Sequence, residues 1–168
     1  MNLDGALKLA RALRTDIGPA LADICEEAAR LILPEFTEET ALRLGLTVVN
    51  MAKLEHLPIV VNIRTPDRTL FHAAMPGATP LNDAWARRKS NTAFAFHKAS
   101  FHVQHVMKTK DEDLSKHGLS TADYAPQGGA VPIVVRGAGM VACLTVSGLP
   151  QAEDHALAVR AIETLLPA

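Results

Sequence analysis

The chain has few aromatic residues, 4% of 168, with a single tryptophan and a single tyrosine. An excess of charge of one sign is also missing. Seventeen Lys and Arg stand against 18 Asp and Glu, for a net charge of -1, so no long-range field draws in nucleic acid or an anionic membrane. The one basic cluster, Arg87-Arg88-Lys89, is short and reads as a solvated helix face or an oligomer contact. The two cysteines, Cys25 and Cys143, are far apart and form no CxxC pair, which excludes a disulfide framework. Cys143 lies within an apolar run and reads as a small buried hydrophobe. No apolar stretch approaches the ~20 residues that span a bilayer. Asp4, Lys8, Arg11, Arg14 and Asp16 interrupt the first residues, so a signal-peptide core is not expected there. These absences point to a cytoplasmic protein with neither nucleic acid nor membrane as a partner.

Apolar residues make up 48% of the chain and charged residues 21%, the balance of an ordinary globular protein. A chain of this length is most simply one domain, burying about 68–70% of its unfolded surface without covalent staples. Leu3, Ala6, Leu7, Ala10 and Leu13 share a face of a short helix that stops before Gly18-Pro19. Thr37 is placed to cap a long, mostly buried helix ending near Glu55, with Glu38 and Glu39 at its positive end. Pro58 opens a strand over Ile59–Arg64, Thr65–Arg68 turns, and Thr69–Ala74 returns as its partner. Asn82 or Asp83 caps a helix through Trp85 to about Phe96, and a second helix follows over Ser100–Lys108. The polar segment from Lys110 to Tyr124 reads as surface loop or a short helix.

The last forty residues are the most informative. Val131–Arg136 and Met140–Ser147 are β-branched runs joined by Gly137-Ala138-Gly139, a hairpin pattern. After Gly148 and Pro150 the apolar residues Ala156, Leu157, Val159, Ala161, Ile162, Leu165 and Leu166 recur at helical spacing. The chain therefore ends strand, turn, strand, sharp corner, helix.

Gly128-Gly129, this hairpin ending Val146-Ser147-Gly148, and then Gln151 and Asp154-His155 resemble the haem-degrading-domain superfamily, the GlcG/HbpS-like proteins. Leu70-Phe71-His72-Ala73-Ala74-Met75-Pro76-Gly77, with Asn82-Asp83-Ala84-Trp85 and Arg87-Arg88-Lys89, is similar to an uncharacterised, mostly bacterial branch of it. The resemblance covers roughly residues 20 to 166. It implies a profilin-like fold, a homo-oligomer, and a further short strand at Ala29–Leu33 that propensity alone would make helical. With that strand the order becomes an α+β arrangement, a single mostly antiparallel five-stranded sheet flanked by helices. Residues 1–18 then form an N-terminal helical extension, and 19–168 the GlcG/HbpS-like domain.

Several residues suit chemistry. Alternation in the Thr69–Ala74 strand sets His72 opposite Phe71, so with Phe71 in the core His72 faces a ligand, solvent or another subunit. Ser147 and Gly148 lead into the exposed N–H groups of the last helix, a geometry suited to a small carboxylate or phosphate. Gly128 and Gly129 allow a close backbone approach there. Asp154 and His155 lie in the first turn of that helix. Asp154 suits the dipole at about 0.3–1 kcal/mol without any functional role, and His155 is either a ligand or base or a hydrogen bond across the corner. Trp85 and Arg88 are one turn apart and frame a planar ligand, or anchor the core and an interface. His97, His102 and His105 lack acidic or Cys partners, so no metal site is expected. Ser147 has no G-x-S-x-G setting, which argues against a serine hydrolase. Many relatives in the branch carry His just before the Gly pair where this chain has Gln127, which cannot titrate or bind iron well.

Three functions are compatible with these residues. The first is a small-ligand-binding oligomer taking haem or a small organic acid. The second is an enzyme using His72 or His155 as acid or base on a small acid or carbonyl compound, although no nucleophile, base and orienter set is visible. The third is a non-catalytic structural or adaptor subunit. The first best combines the Gly-rich corner, His72 and the resemblance.

Overall fold

The structure, a computed structural model, describes residues 21–167; the helix expected near the start of the chain lies outside them. The elements are α1 (Leu21–Arg30), β1 (Ile32–Leu33), α2 (Glu38–Glu55), β2 (Val60–Arg64), β3 (Thr69–Ala74), α3 (Pro80–Phe96), α4 (Ser100–Lys110), a 3₁₀ turn (Leu114–His117), β4 (Ala130–Val135), β5 (Gly139–Ser147) and α5 (Gln151–Glu163). The five strands form one sheet in the order β1-β4-β5-β2-β3. Only β1 runs parallel to its neighbour, and the other pairs are antiparallel. The expected α+β, mostly antiparallel five-stranded architecture is therefore the observed one.

Period-two alternation fixes the two faces of the sheet. Val61 lies opposite both Ala73 and Val146, and Ile63 opposite Phe71 and Leu144. These side chains join Leu44, Val48 and Ala52 of α2 and Leu157, Ala161 and Ile162 of α5 in the main core. Gly45 of α2 makes room for Phe71, because a Cβ there would stand 2.3 Å from the ring. The opposite face carries Asn62, His72, Cys143 and Thr145, in register across β3, β2 and β5, and α3 packs over it through Ala93. Burial pushes the Cys143 thiol up to about 12, so it stays protonated as a hydrophobe.

Local chemistry explains the ends of the elements. The Thr37 hydroxyl accepts from the Thr40 N–H at 3.2 Å, the cap the sequence predicts. The β4–β5 turn places Gly137 and Gly139 at φ 78, a conformation that suits glycine. Two expectations change. Helix α3 begins at Pro80 after Thr79 instead of at Asn82 or Asp83; Pro is pre-organised for a first helical position, and Asn82 Oδ1 accepts from the Thr79 N–H at 2.8 Å. The strand expected over Ala29–Leu33 is only Ile32–Leu33, because the Leu31 N–H still reaches the Glu27 carbonyl at 3.0 Å and extends the helical pattern.

Candidate functional site

The corner after β5 opens onto a cleft of about 320 Å³ between α3 and α5. Asn82, Trp85 and Lys89 recur at i, i+3 and i+7, so one stripe of α3 supplies one wall. Gln127, Ser147, Gly148, Leu149, Gln151 and Asp154 supply the remainder. Ser147 is 2% exposed, and its hydroxyl makes no hydrogen bond to another described residue. At the start of α5 the Gln151 and Ala152 N–H groups have no helical carbonyl to meet, those of Glu153 and Asp154 donate to the Pro150 carbonyl, and Pro150 at the N-cap offers no side-chain cap.

Lys89 is the residue that sequence reasoning missed. The Arg87-Arg88-Lys89 cluster reads as a solvated face, yet Lys89 is only 4% exposed. Its Nζ donates to Asp154 Oδ2 at 2.8 Å and to the Val146 carbonyl at 3.3 Å. Asp154 Oδ1 also accepts from the Leu149 N–H at 3.0 Å, so the carboxylate ties the corner to α3. Burial pulls the Lys89 ammonium down from its ordinary value, with Asp154 opposing. Burial pushes the Asp154 carboxyl up, with Lys89 and the Leu149 and Gly148 N–H groups opposing. Desolvation thus brings the two groups toward each other in proton affinity. The available signal was positional: Ala86 and Ala93 mark the buried face of α3, and Lys89 lies between them on that face.

The structure distributes the predicted residues unevenly. Trp85, Ser147, Gly148 and Asp154 line the cleft. Gly128 and Gly129 sit behind it, where protein and not ligand makes the close approach. A Cβ on Gly128 would meet the Gln151 carbonyl at 2.5 Å; one on Gly129 would meet the Val146 carbonyl at 2.3 Å and Lys89 Nζ at 2.9 Å. The Arg88 guanidinium lies 4.0 Å above the Trp85 ring and donates to the Thr121 carbonyl. It therefore covers one face of the indole that a planar ligand would need.

His72 stands outside the cleft. Phe71 does point into the core, and His72 faces α3, where Nε2 meets Asp83 Oδ1 at 2.9 Å and Nδ1 meets Asn62 Nδ2 at 3.1 Å. Both ring nitrogens are therefore engaged within the chain.

His155 faces a different space, although it is adjacent to Asp154. It lines a mostly apolar crevice of about 190 Å³ with Ile24, Leu31, Val131 and Val159. His155 Nε2 pairs with Glu27 at 2.9 Å, and its buried Nδ1 has no partner among the described residues. His97 closes α3 in the left-handed conformation, φ 51, and lines the same crevice with His102. His105 instead donates its Nδ1–H to the Phe101 carbonyl at 2.8 Å. Among the described residues no group of three His, Cys, Asp or Glu is placed to hold a metal, and no helix is long and apolar enough to cross a membrane.

The described sheet, its helix cover and the corner cleft define an α+β domain of a recognised kind. The family model for haem degrading protein HbpS-like matches residues 36–163, and the chain belongs to that HbpS-like family. A UPF0303 protein of Paraburkholderia phymatum is 40% identical over 148 residues, 88% of this chain and 90% of the relative. Another, of Acidobacterium capsulatum, is 41% identical over 143 residues, covering 84% and 87%. Among solved structures, the Ybr137w protein has a TM-score of 0.78 at 33% identity over 94% of this chain and 92% of that one. HbpS has 0.63 at 21% identity, covering 80% and 92%. The PduOC:Heme complex has 0.65 at 22% identity, covering 76% and 93%; these last two share the fold.

Proposed function

We propose that this chain is a small-ligand-binding protein, cytoplasmic and homo-oligomeric, whose ligand is a small organic acid held in the cleft between α3 and α5. The observation that carries the reading is the cleft wall itself. It sets a buried cation, Lys89, and the buried hydroxyl of Ser147 against the start of α5, and a helix start favours a carboxylate. Leu42 and Leu46, about half exposed on α2, support the oligomer, since apolar residues on an outer helix face suit a subunit contact.

Trp85 is the only tryptophan and lines the cleft, so its fluorescence reports on this site alone. Titration with lactate is expected to change the emission saturably, and Ser147→Val is expected to weaken the response. An emission unchanged by lactate and by other short carboxylic acids overturns the reading.

A second reading, haem, is favoured by the crevice. The cleft does not fit haem, because none of its lining side chains is an ordinary iron ligand. The crevice fits better: apolar walls, His97 and His102 beside it, and the orphaned Nδ1 of His155. His97 and His102 are the imidazoles that would hold the iron there. Haem bound there would supply an iron centre for redox or ligand chemistry. A stoichiometric Soret shift that is lost in His102→Ala supports this reading; a featureless titration removes it.

A further inference from the structure

The cleft holds more than a binding surface. An amine whose nearest partner is a carboxyl group, both almost fully removed from water, lies on the wall of a space open to small molecules. Lys89 and Asp154 have side chains 5% and 1% exposed and an N···O distance of 2.8 Å. The Nζ carries three protons and has two protein partners, Asp154 and the Val146 carbonyl, which leaves one position directed away from both. Gly129 keeps the neighbourhood open, since a Cβ there would press within 2.9 Å of Nζ.

We propose that Lys89 is a carbonyl-capturing residue, forming a reversible imine with a small 2-oxo acid that enters the cleft, while Asp154 carries the proton. The inference rests on the small-acid reading above and names its substrate class. The Lys89–Asp154 ion pair passes one proton to the carboxylate, leaving a neutral amine beside a carboxylic acid. The Nζ lone pair then forms a C–N bond to the carbonyl carbon as the C=O π bond breaks, and the oxygen takes the proton from Asp154. Asp154 next takes a proton from nitrogen and returns it to the hydroxyl. The C–O bond breaks, one water leaves, and the C=N bond remains; no oxidation state changes. Burial moves both groups in the direction that makes the first transfer easier, the setting in which lysines serve as Schiff-base nucleophiles. The Ser147 hydroxyl and the start of α5 supply partners for the substrate carboxylate.

The test uses the wild-type chain, so folding of a variant does not enter. Pyruvate and sodium cyanoborohydride are added at neutral pH, and adducts are located by intact-mass and peptide mass spectrometry. The expected result is one reduced adduct per chain, on Lys89, while exposed Lys53, Lys98 and Lys116 are labelled slowly or not at all. Excess lactate, which has the carboxylate but no ketone, is expected to protect Lys89. Labelling confined to exposed lysines overturns the imine. If lactate nevertheless changes Trp85 emission, the small-acid cleft survives that failure; if it does not, both fall.

Discussion

Two depressions flank the first turn of α5, and consecutive residues face them. Asp154 lies in the cleft against Lys89, and His155 lies in the crevice against Glu27. A helix turns about 100° per residue, so neighbours in sequence reach different surroundings. The cleft is polar, contains no imidazole and is organised by a buried ion pair. The crevice is walled by Ile24, Leu31, Val131 and Val159 and gathers three imidazoles. The difference teaches that the Asp154-His155 pair is a branch point between two depressions of opposite chemistry. A carboxylate suits the first, and a flat apolar ligand with a nitrogen-seeking centre suits the second.

The sharpest way to break the comparison is to remove the cleft's cation. Lys89→Met leaves Asp154 buried with no countercharge and is expected to lower stability by about 3–5 kcal/mol, measured by urea unfolding. Adding Asp154→Leu is expected to recover most of that loss, because a pair of apolar groups needs no compensation. A single variant as stable as the parent would mean that the pair does not organise the cleft.

Gly129→Ala comes next. Its backbone sits at φ +135 and its Cβ would stand 2.3 Å from the Val146 carbonyl. The backbone strain alone is expected to cost about 1–3 kcal/mol, read as a lowered urea midpoint with an unchanged m-value. Little change there would show that the wall behind Lys89 yields easily.

The crevice has its own signature in pH. Burial, then Lys98 and His105, hold the His102 imidazole below its ordinary value, so the folded chain favours the neutral ring. As pH falls below histidine's ordinary ~6.5, the unfolded chain takes up this proton first. The stability contributed by His102 is therefore full above that value and lost as pH drops toward the folded-state value. Thermal unfolding between pH 7.5 and 5 is expected to show this slope, and His102→Gln to flatten it. Cleft variants are expected to leave that difference between parent and His102→Gln unchanged.

The smallest effect belongs to neither site. The His72–Asp83 contact joins two side chains that are 41% and 44% exposed. His72→Gln is expected to cost less than about 1 kcal/mol and to leave the lactate response of Trp85 intact. A lost response would return His72 to the ligand site.

The fold was largely legible because its signals are local. Thr37 caps α2, Gly137 and Gly139 turn the last hairpin, and the Phe71/His72 alternation assigns the faces of β3. Strand β1 was harder, since two residues carry no periodicity and Leu31 continues the helical bonding. The cleft was half legible. Ser147, Gly148, Asp154 and Trp85 are punctuation or rare residue types that draw attention. Lys89 is a lysine among basic neighbours, and its burial arises only when α3 packs against β5 and Asp154 of α5 meets its amine. What His155 meets was likewise invisible, because it depends on where α1 and α4 lie. Glu27 and Phe101, which hold the His155 ring, are distant from it in sequence.

The most direct test of the central claim, a small acid seated between α3 and α5, is an amide and indole NMR titration of the full chain with lactate. Saturable shifts are expected at the Trp85 indole and the Gly148, Leu149 and Gln151 amides, with Ala28, His102 and Val134 unmoved. Shifts centred on the crevice residues, or none that saturate, would contradict it.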